Sequence, residues 1–183
     1  AVVLGIVVGV VAAVNHGKWV DSALMTISVF GISAPAFWIA IILQIVICLK
    51  FNLLPLSGID SFKSFILPGI ALGTRYAASI ARITRTSMLD VLSQDYIRTA
   101  EAKGLKGWVV TIKHALRNAL IPIITIAGSD LGNILTGSVL VESVFSIPGI
   151  GKMLVDSINT RDLPIVQGGV MYIAVICVIM YLV

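Results

Sequence analysis

Residues 95–117 read DYIRTAEAKGLKGWVVTIKHALR and form the one long polar and basic segment in an otherwise apolar chain. We predict that Asp95 opens a short amphipathic helix with Ser93 as its N-cap, because a carboxylate is favoured in the positive first turn of a helix. Gly104 is suited to the left-handed conformation that ends a helix. The segment therefore predicts a short surface helix, a glycine turn and a second helix.

Each of these two predicted helices has an apolar face. On the first, the apolar side chains recur at three-to-four-residue spacing, at Leu92, Tyr96 and Ala100. On the second, which follows Gly107, one face is predicted to hold Trp108, Ile112, Ala115 and Ala119, with Lys106, Lys113 and Arg117 mostly on another. The second helix then continues into an apolar stretch, which predicts that the surface element is joined directly to a spanning helix.

Composition places the chain in a membrane. Hydrophobic residues make up 58% of the 183 residues and charged residues 12%, and the mean hydropathy is +1.04. Soluble domains are typically about half apolar and a quarter charged. The apolar residues come in blocks near the roughly 20 residues that a helix needs to cross a bilayer, whereas barrel strands would alternate. We therefore predict an all-α, polytopic membrane helix bundle.

About five spans are predicted, and together they form a single transmembrane domain over 1–183. Their ranges are 1–14, 24–49, 66–88, 120–141 and 165–183. The second span is interrupted at Gly31, Ser33 and Pro35, where we expect a kink. Both ends of the chain lie inside apolar runs, so we expect a fragment truncated at both ends. A signal peptide over 1–14 is disfavoured because no basic residue precedes the run.

The basic residues orient the predicted bundle. Seven of the 13 Lys and Arg residues lie between 82 and 117, and the formal net charge of the chain is +4. Cytoplasmic loops are enriched in Lys and Arg, so this segment is predicted to be cytoplasmic. It has two interpretations: the charges serve either to fix the topology alone or also to dock a protein. Ala100, Ala102 and Gly104 favour docking, because small side chains leave a low surface that another protein can approach.

Several motifs, in order along the chain, resemble one family. The residues 99–104 (TAEAKG) and 114–122 (HALRNALIP) resemble the EAA loop of permease subunits of binding-protein-dependent ABC importers, in the dipeptide, oligopeptide and nickel branch. The further stretches similar to that branch are 33–38 (SAPAFW), 82–88 (RITRTSM), 95–99 (DYIRT), 141–145 (VESVF) and 148–151 (PGIG). Arg98 and Arg117 depart from the general importer motif but fit this branch.

The resemblance implies a type I importer permease in a bacterial or archaeal cytoplasmic membrane, with a cytoplasmic coupling loop near 89–118. The residues that it assigns to ATPase coupling are Asp95, Arg98, Thr99, Ala100, Glu101, Ala102, Lys103 and Gly104. The implied partners are a second homologous permease, two ABC ATPase subunits, an extracytoplasmic solute-binding protein and the lipid bilayer. No nucleic acid is expected as a partner. The chain has no Gly-x-x-x-x-Gly-Lys-Ser/Thr phosphate loop, so no cofactor and no catalytic residue are expected, and hydrolysis is assigned to a partner.

Two ionisable residues, Arg75 and Asp130, fall inside predicted spans, where charges are costly and often functional. Asn133 and Thr136 extend a polar face from Asp130 at three-to-four-residue spacing. These four residues are candidates for the translocation path. The alternative is that Asp130 pairs with Arg75 or another helix and locks the bundle.

Small residues recur at four-residue spacing, which favours close helix packing within the subunit or against a second permease. The pairs are Gly5 with Gly9, Gly69 with Gly73, and Gly128 with Gly132. His16 and His114 lack a second ligand at metal spacing, so no metal site is expected. Cys48 and Cys177 lie in apolar runs and are interpreted as small hydrophobic residues.

Two functions remain open from the residues. The first is a permease subunit of an ATP-driven importer for dipeptides or oligopeptides. The second is an ion-coupled secondary transporter or channel that uses Arg75 and Asp130 as a relay. The polar segment discriminates between them, because only the first requires a docking helix around Ala100.

Overall fold

The computed structural model describes residues 1–59 and 61–182, and it leaves the side chains of 135–137 undescribed. The described residues form helices and no strand, as the all-α prediction requires. The α-helices are α1 (Val2–Val14), α2 (Trp19–Ser33), α3 (Ala36–Leu43), α4 (Ile66–Leu92), α5 (Asp95–Ala102), α6 (Gly107–Val109), α7 (Arg117–Val144), α8 (Ile150–Asn159) and α9 (Leu163–Leu182). Wider π-helical turns over Gln44–Lys50 and Val110–Leu116 extend α3 and join α6 to α7.

Contacts within the chain define two compact units. The first comprises Ala1–Ser33 and Tyr76–Ala127, and the second Ala34–Arg75 and Gly128–Val183.

In the first unit, α1 packs closely against α4 through two glycines. A Cβ atom at Gly5 would lie 2.7 Å from the carbonyl oxygen of Ala77, and one at Gly9 would lie 2.5 Å from that of Ala81. Both distances are much shorter than a van der Waals contact. The two helix backbones therefore approach each other so closely that only glycine fits at these positions. The small-residue packing predicted for this pair is therefore present, and its partner is a helix of the same chain.

In the second unit, Gly132 also lies at a close contact, since a Cβ atom there would lie 3.1 Å from the Tyr181 ring on α9. Gly69 and Gly128 have nothing within 4 Å of such an atom. The three glycine pairs are thus not equivalent. Cys48 is buried in the core of this unit with Leu67 and Phe145, which confirms it as a small hydrophobic residue.

Among the described residues, two helical stretches are long and apolar enough to cross a membrane, namely Gly107–Ile134 and Leu163–Leu182. The helices Trp19–Ser33 and Ala36–Lys50 would form a third if they make one broken span. The break falls where the sequence predicts it. Pro35 precedes α3 with an extended ψ of 138°, and a proline disfavours a helical conformation in the residue before it.

Candidate functional site

The short polar helix begins and ends close to the predicted residues, but its start is built differently. Gln94 is the N-cap of α5 and makes no side-chain capping bond, so the prediction of Ser93 as N-cap was wrong. The Ser93 hydroxyl instead donates to the Asp90 carbonyl oxygen at 2.8 Å, at the end of α4. Gly104 has φ +75°, which confirms the left-handed turn that ends the helix.

The buried face of α5 differs from the predicted stripe by one position. Ile97 is 1% exposed and Ala100 is 6% exposed, whereas Tyr96 is 43% exposed. The Tyr96 hydroxyl accepts a hydrogen bond from the Asn118 amide at 3.0 Å. Tyr96 therefore holds α5 to the start of α7 by its polar end. Because Ala100 is buried, it does not belong to the exposed low surface that the sequence predicted.

The predicted apolar face of the following helix is divided in the structure. Ala115 and Ala119 are at most 1% exposed, but Trp108 is 68% exposed and Ile112 is 49% exposed. The reason is the π-helical turn over Val110–Leu116, whose hydrogen bonds span five residues instead of four and so change the register of the side chains. The prediction of one shared face was therefore wrong.

A common core connects α5 to its neighbours within the first unit. Its buried members are Ala13, Ile80, Met88, Ile97, Ala100, Val110, Ala115, Ala119 and Ile123. They belong to α1, α4, α5, the π-helical turn and α7. These side chains therefore pack α5 directly against the start of the helix that continues over Gly107–Ile134.

The outer face of α5 is polar and exposed. Its exposed residues are Asp95, Arg98, Thr99, Glu101 and Ala102, and they are followed by Lys103 and Gly104. Asp95 and Arg98 approach to 3.9 Å with side chains 98% and 76% exposed, so water screens their attraction strongly. Their charges therefore remain available to a partner.

A second polar cluster, which the sequence did not predict, lies at the turn between α1 and α2. Arg85 donates to both oxygens of Asp21, at 2.6 Å and 2.7 Å. His16 Nδ1 lies 3.2 Å from Asp21 Oδ2 and 3.0 Å from Arg85 Nη2. The Gly17 amide donates to the same Asp21 oxygen at 3.2 Å. The cluster ties this turn to α4, the helix that leads into α5.

In the second unit, Asp130 and Asn133 come together on α7. The Asn133 amide bonds the Asp130 carboxyl group, and the Tyr181 hydroxyl donates to Asn133 Oδ1 at 2.9 Å. One carboxyl oxygen, Asp130 Oδ2, is buried without a hydrogen-bond partner. Arg75 is exposed, and the ion pairs within 4 Å in the described part of the chain do not join it to Asp130. Thr136 lies outside the residues whose side chains the structure describes.

Glu142 lies just beyond the predicted span 120–141, but it belongs to α7 and positions the next helix. Its carboxylate accepts hydrogen bonds from the Ser138 hydroxyl at 2.9 Å and from the Gly151 amide at 2.8 Å, at the N-terminus of α8. A Cβ atom at Gly149 or Gly151 would overlap this carboxylate. A carboxylate is favoured at the positive end of a helix, so Glu142 fixes α8 against the end of α7.

No three His, Cys, Asp or Glu side chains come together to hold a metal ion in the parts of the chain that were described.

Comparison with known proteins agrees with this architecture. Residues 5–183 match the family described as binding-protein-dependent transport system inner membrane component. The chain is 47% identical over 171 residues to the glutathione transport system permease protein GsiC of Escherichia coli (strain K12) and of Shigella dysenteriae serotype 1 (strain Sd197). It is 46% identical over 171 residues to the protein of that name from Salmonella choleraesuis (strain SC-B67).

These matches cover 93% of this chain and 56% of each relative, so the chain spans about half the length of the curated relatives that it matches. The chain belongs to the family of binding-protein-dependent transport system inner membrane components, which are membrane-spanning permeases of ABC importers. Within that family it is a permease of the peptide and nickel branch.

Proposed function

We propose that the intact protein is a permease subunit of an ATP-driven importer for peptides, and that α5 couples it to an ATPase subunit. The observation that supports this proposal is the packing of α5. Its inner residues Ile97 and Ala100 share a core with the helix that continues over Gly107–Ile134, while its outer face is polar and exposed. A helix with this arrangement can receive a push from a soluble subunit and pass it to a spanning segment.

Electrostatics suit α5 to such docking. Its exposed face mixes the charges of Asp95, Arg98, Glu101 and Lys103 within nine residues. Charges of both signs on a small rigid surface favour a specific orientation and register, because wrong juxtapositions bring like charges together. We assign this face to an ATPase groove on the cytoplasmic side. We further propose a second homologous permease, two ATPase subunits in total and an extracytoplasmic solute-binding protein.

The proposed solute class is peptides. The relatives are named for the transport of glutathione, a tripeptide, and glutathione is therefore the first solute to test. We propose that Asp130 and Asn133 line the path, with Arg75 and Thr136 as further candidates. A carboxylate with one oxygen that lacks a partner suits the ammonium end of a peptide.

The ion-coupled alternative has less support. It would need Arg75 and Asp130 to act as a relay, and they do not form a direct ion pair in the described residues. It also leaves the anchored polar helix without a role. Membership of the importer permease family favours ATP as the source of energy.

Reconstitution tests the proposal. The intact permease is placed in proteoliposomes with its partner subunits, and uptake of labelled dipeptides, tripeptides and glutathione is measured. We expect uptake that requires ATP and the solute-binding protein and that persists when ionophores collapse ion gradients. Uptake that follows an imposed proton or sodium gradient without ATP would instead establish the alternative.

A further inference from the structure

The helix α8 and the start of α9 form an open cleft within the second unit. Its volume is about 460 Å³, which is in the range of small-molecule binding sites. Met153 and Ile165 give the cleft an apolar part, while charged and hydroxyl side chains line the rest. Neither α5 nor the pair of Asp130 and Asn133 lines this cleft.

The cleft carries a net negative charge. Its ionisable residues are Lys152, Asp156 and Asp162, one cation against two anions. Lys152 Nζ donates to Asp156 Oδ2 at 2.6 Å, so one carboxylate of the cleft already binds an ammonium group. Among the described residues, the Asp162 carboxylate takes part in no ion pair within 4 Å and accepts only a long bond, from the Ile165 amide at 3.4 Å. A cationic group is therefore favoured over an anion as the ligand.

A nearly buried serine also lines the cleft. Ser157 is only 7% exposed. A serine inside a helix can donate to the carbonyl oxygen four residues earlier, as Ser28 does to Leu24 at 2.8 Å. The Ser157 hydroxyl makes no hydrogen bond with any described residue, although buried polar groups are nearly always hydrogen-bonded. A ligand in the cleft thus gains a hydrogen bond from Ser157 without breaking one within the protein.

Water-soluble compounds can reach the charged part of the cleft. The Lys152 and Asp156 side chains are 32% and 58% exposed. The charged residues of the cleft all precede Leu163–Leu182, a stretch that is long and apolar enough to cross a membrane. A small solute therefore reaches these charges without entering the apolar stretch.

We infer that this cleft binds the ammonium end of a short peptide, with the carboxylates of Asp156 and Asp162 and the hydroxyl of Ser157 as acceptors. The inference rests on the proposed function, because it names the part of the solute that the permease recognises at this second site. A primary ammonium group has three donors, and its hydrogen bonds to carboxylates are charge-assisted. Met153 and Ile165 supply apolar surface for the first side chain of the peptide.

Saturation-transfer difference NMR detects this binding on the intact permease, without ATP or ATPase subunits. The permease is placed in nanodiscs of phosphatidylcholine, and L-alanyl-L-alanine is the probe. N-acetyl-L-alanyl-L-alanine is the matched control, since it lacks the ammonium group. We expect much stronger saturation transfer to the methyl groups of the free dipeptide than to those of the acetylated one. Equal signals from the two compounds, or no signal from either, would overturn the inference.

A lipid headgroup is a second source of a primary ammonium group. Phosphatidylcholine has none, whereas phosphatidylethanolamine carries one. Replacing the first lipid by the second should leave the signal of L-alanyl-L-alanine unchanged. Loss of that signal would assign the cleft to the lipid headgroup and overturn the inference.

Substitutions in the cleft should change the affinity for L-alanyl-L-alanine in opposite directions. Ser157→Ala removes a hydroxyl that bonds nothing in the chain, so the affinity should fall about fivefold while the melting temperature stays the same. Asp156→Asn should weaken binding by about tenfold, because a charge-assisted bond is lost. Lys152→Met removes the cation that competes for Asp156 and should strengthen binding by about threefold. Asp90→Asn, at an exposed carboxylate outside the cleft, should bind like the wild type.

These measurements separate the inference from the proposed function. Unchanged affinity in both Ser157→Ala and Asp156→Asn would overturn the cleft site, while ATP-driven uptake by the reconstituted wild type would leave the proposed function standing. Weaker binding by Lys152→Met would indicate an anionic ligand and contradict the inference. If the dipeptide binds as expected but the reconstituted complex shows no ATP-driven uptake, the proposed function is wrong and the cleft remains an ammonium site.

Discussion

Arg85 Nε lies 2.6 Å from Asp21 Oδ1, and Arg85 Nη2 lies 2.7 Å from Asp21 Oδ2. The guanidinium therefore donates to both carboxylate oxygens of a residue that is 64 positions away in the chain. The Asp21 side chain is only 5% exposed and that of Arg85 is 23% exposed. A bidentate pair with this burial fixes the first turn of α2 to α4, which leads into α5.

Removing one partner of this pair is expected to destabilise the protein. Asp21→Asn keeps the size of the side chain but leaves the Arg85 charge without its counterion. We expect a loss of about 3 kcal/mol, the lower end for breaking a buried pair, because Arg85 still reaches solvent. Thermal unfolding of the detergent-solubilised protein measures this loss of stability.

The control for this loss is an exposed pair on the same unit. Asp95→Asn removes the partner of Arg98 at 3.9 Å, where both side chains are largely exposed, and should hardly change the melting temperature. The double variant Asp21→Asn with Arg85→Gln should lose less stability than the sum of the losses measured for the two single variants. Equal effects of Asp21→Asn and Asp95→Asn would contradict the structural role of the pair.

The crossing of α1 and α4 predicts a large difference between two glycines. Gly9→Ala would place a Cβ atom 2.5 Å from the carbonyl oxygen of Ala81 and should cost about 1–3 kcal/mol through overpacking. Gly128→Ala meets nothing within 4 Å and should be neutral or stabilising by up to about 1 kcal/mol, because alanine favours helix. Unfolding midpoints of the two variants provide the comparison. A tolerated Gly9→Ala would exclude this close crossing.

The Glu142 carboxylate is expected to hold α8 in place. Glu142→Ala removes acceptors for Ser138 and the Gly151 amide and should cost about 1 kcal/mol, as for the loss of a helix cap. Hydrogen exchange followed by mass spectrometry should show faster exchange in α8. Gly168→Ala, where nothing lies within 4 Å, is the control that should exchange like the wild type. Unchanged α8 exchange in Glu142→Ala would argue against the positioning role.

The turn that follows α5 depends on glycine at one position. Gly104 has φ +75° and open space around it, so Gly104→Ala should cost about 1 kcal/mol from backbone strain alone. Gly107→Ala also meets nothing within 4 Å but does not have positive φ, and it should cost less. Exchange rates in α5 report both effects, and equal rates in the two variants would count against a strained turn.

Local chemistry made some features predictable from sequence. The left-handed turn at Gly104 and the break before Pro35 follow from the conformational limits of single residues, and both are present. The apolar blocks predicted helices because their length matches a bilayer. The family motifs were readable for the same reason, since they are local in sequence.

Other features depend on contacts or on helix register and were not predictable. The Asp21–Arg85 pair joins residues on different helices, and no spacing rule connects them. Trp108 is exposed and Ala115 is buried because a π-helical turn lies between them, and a pattern based on 3.6 residues per turn cannot anticipate this difference in exposure. Ala100 was expected on the surface because small residues suit docking, but they equally suit a tight core. The predicted span 120–141 stops before Glu142, although α7 continues to Val144.

Co-purification of the ATPase subunit with the intact permease tests the central claim, coupling through α5, most directly. The wild type is compared with Ala102→Arg, which adds a long charged side chain to the exposed face of α5 without entering its core. Asn159→Arg, at an exposed residue of α8, is the control for a surface arginine. We predict that the ATPase co-purifies with the wild type and Asn159→Arg and is lost from correctly inserted Ala102→Arg. Equal recovery with all three proteins, or none with the wild type, would contradict coupling through α5.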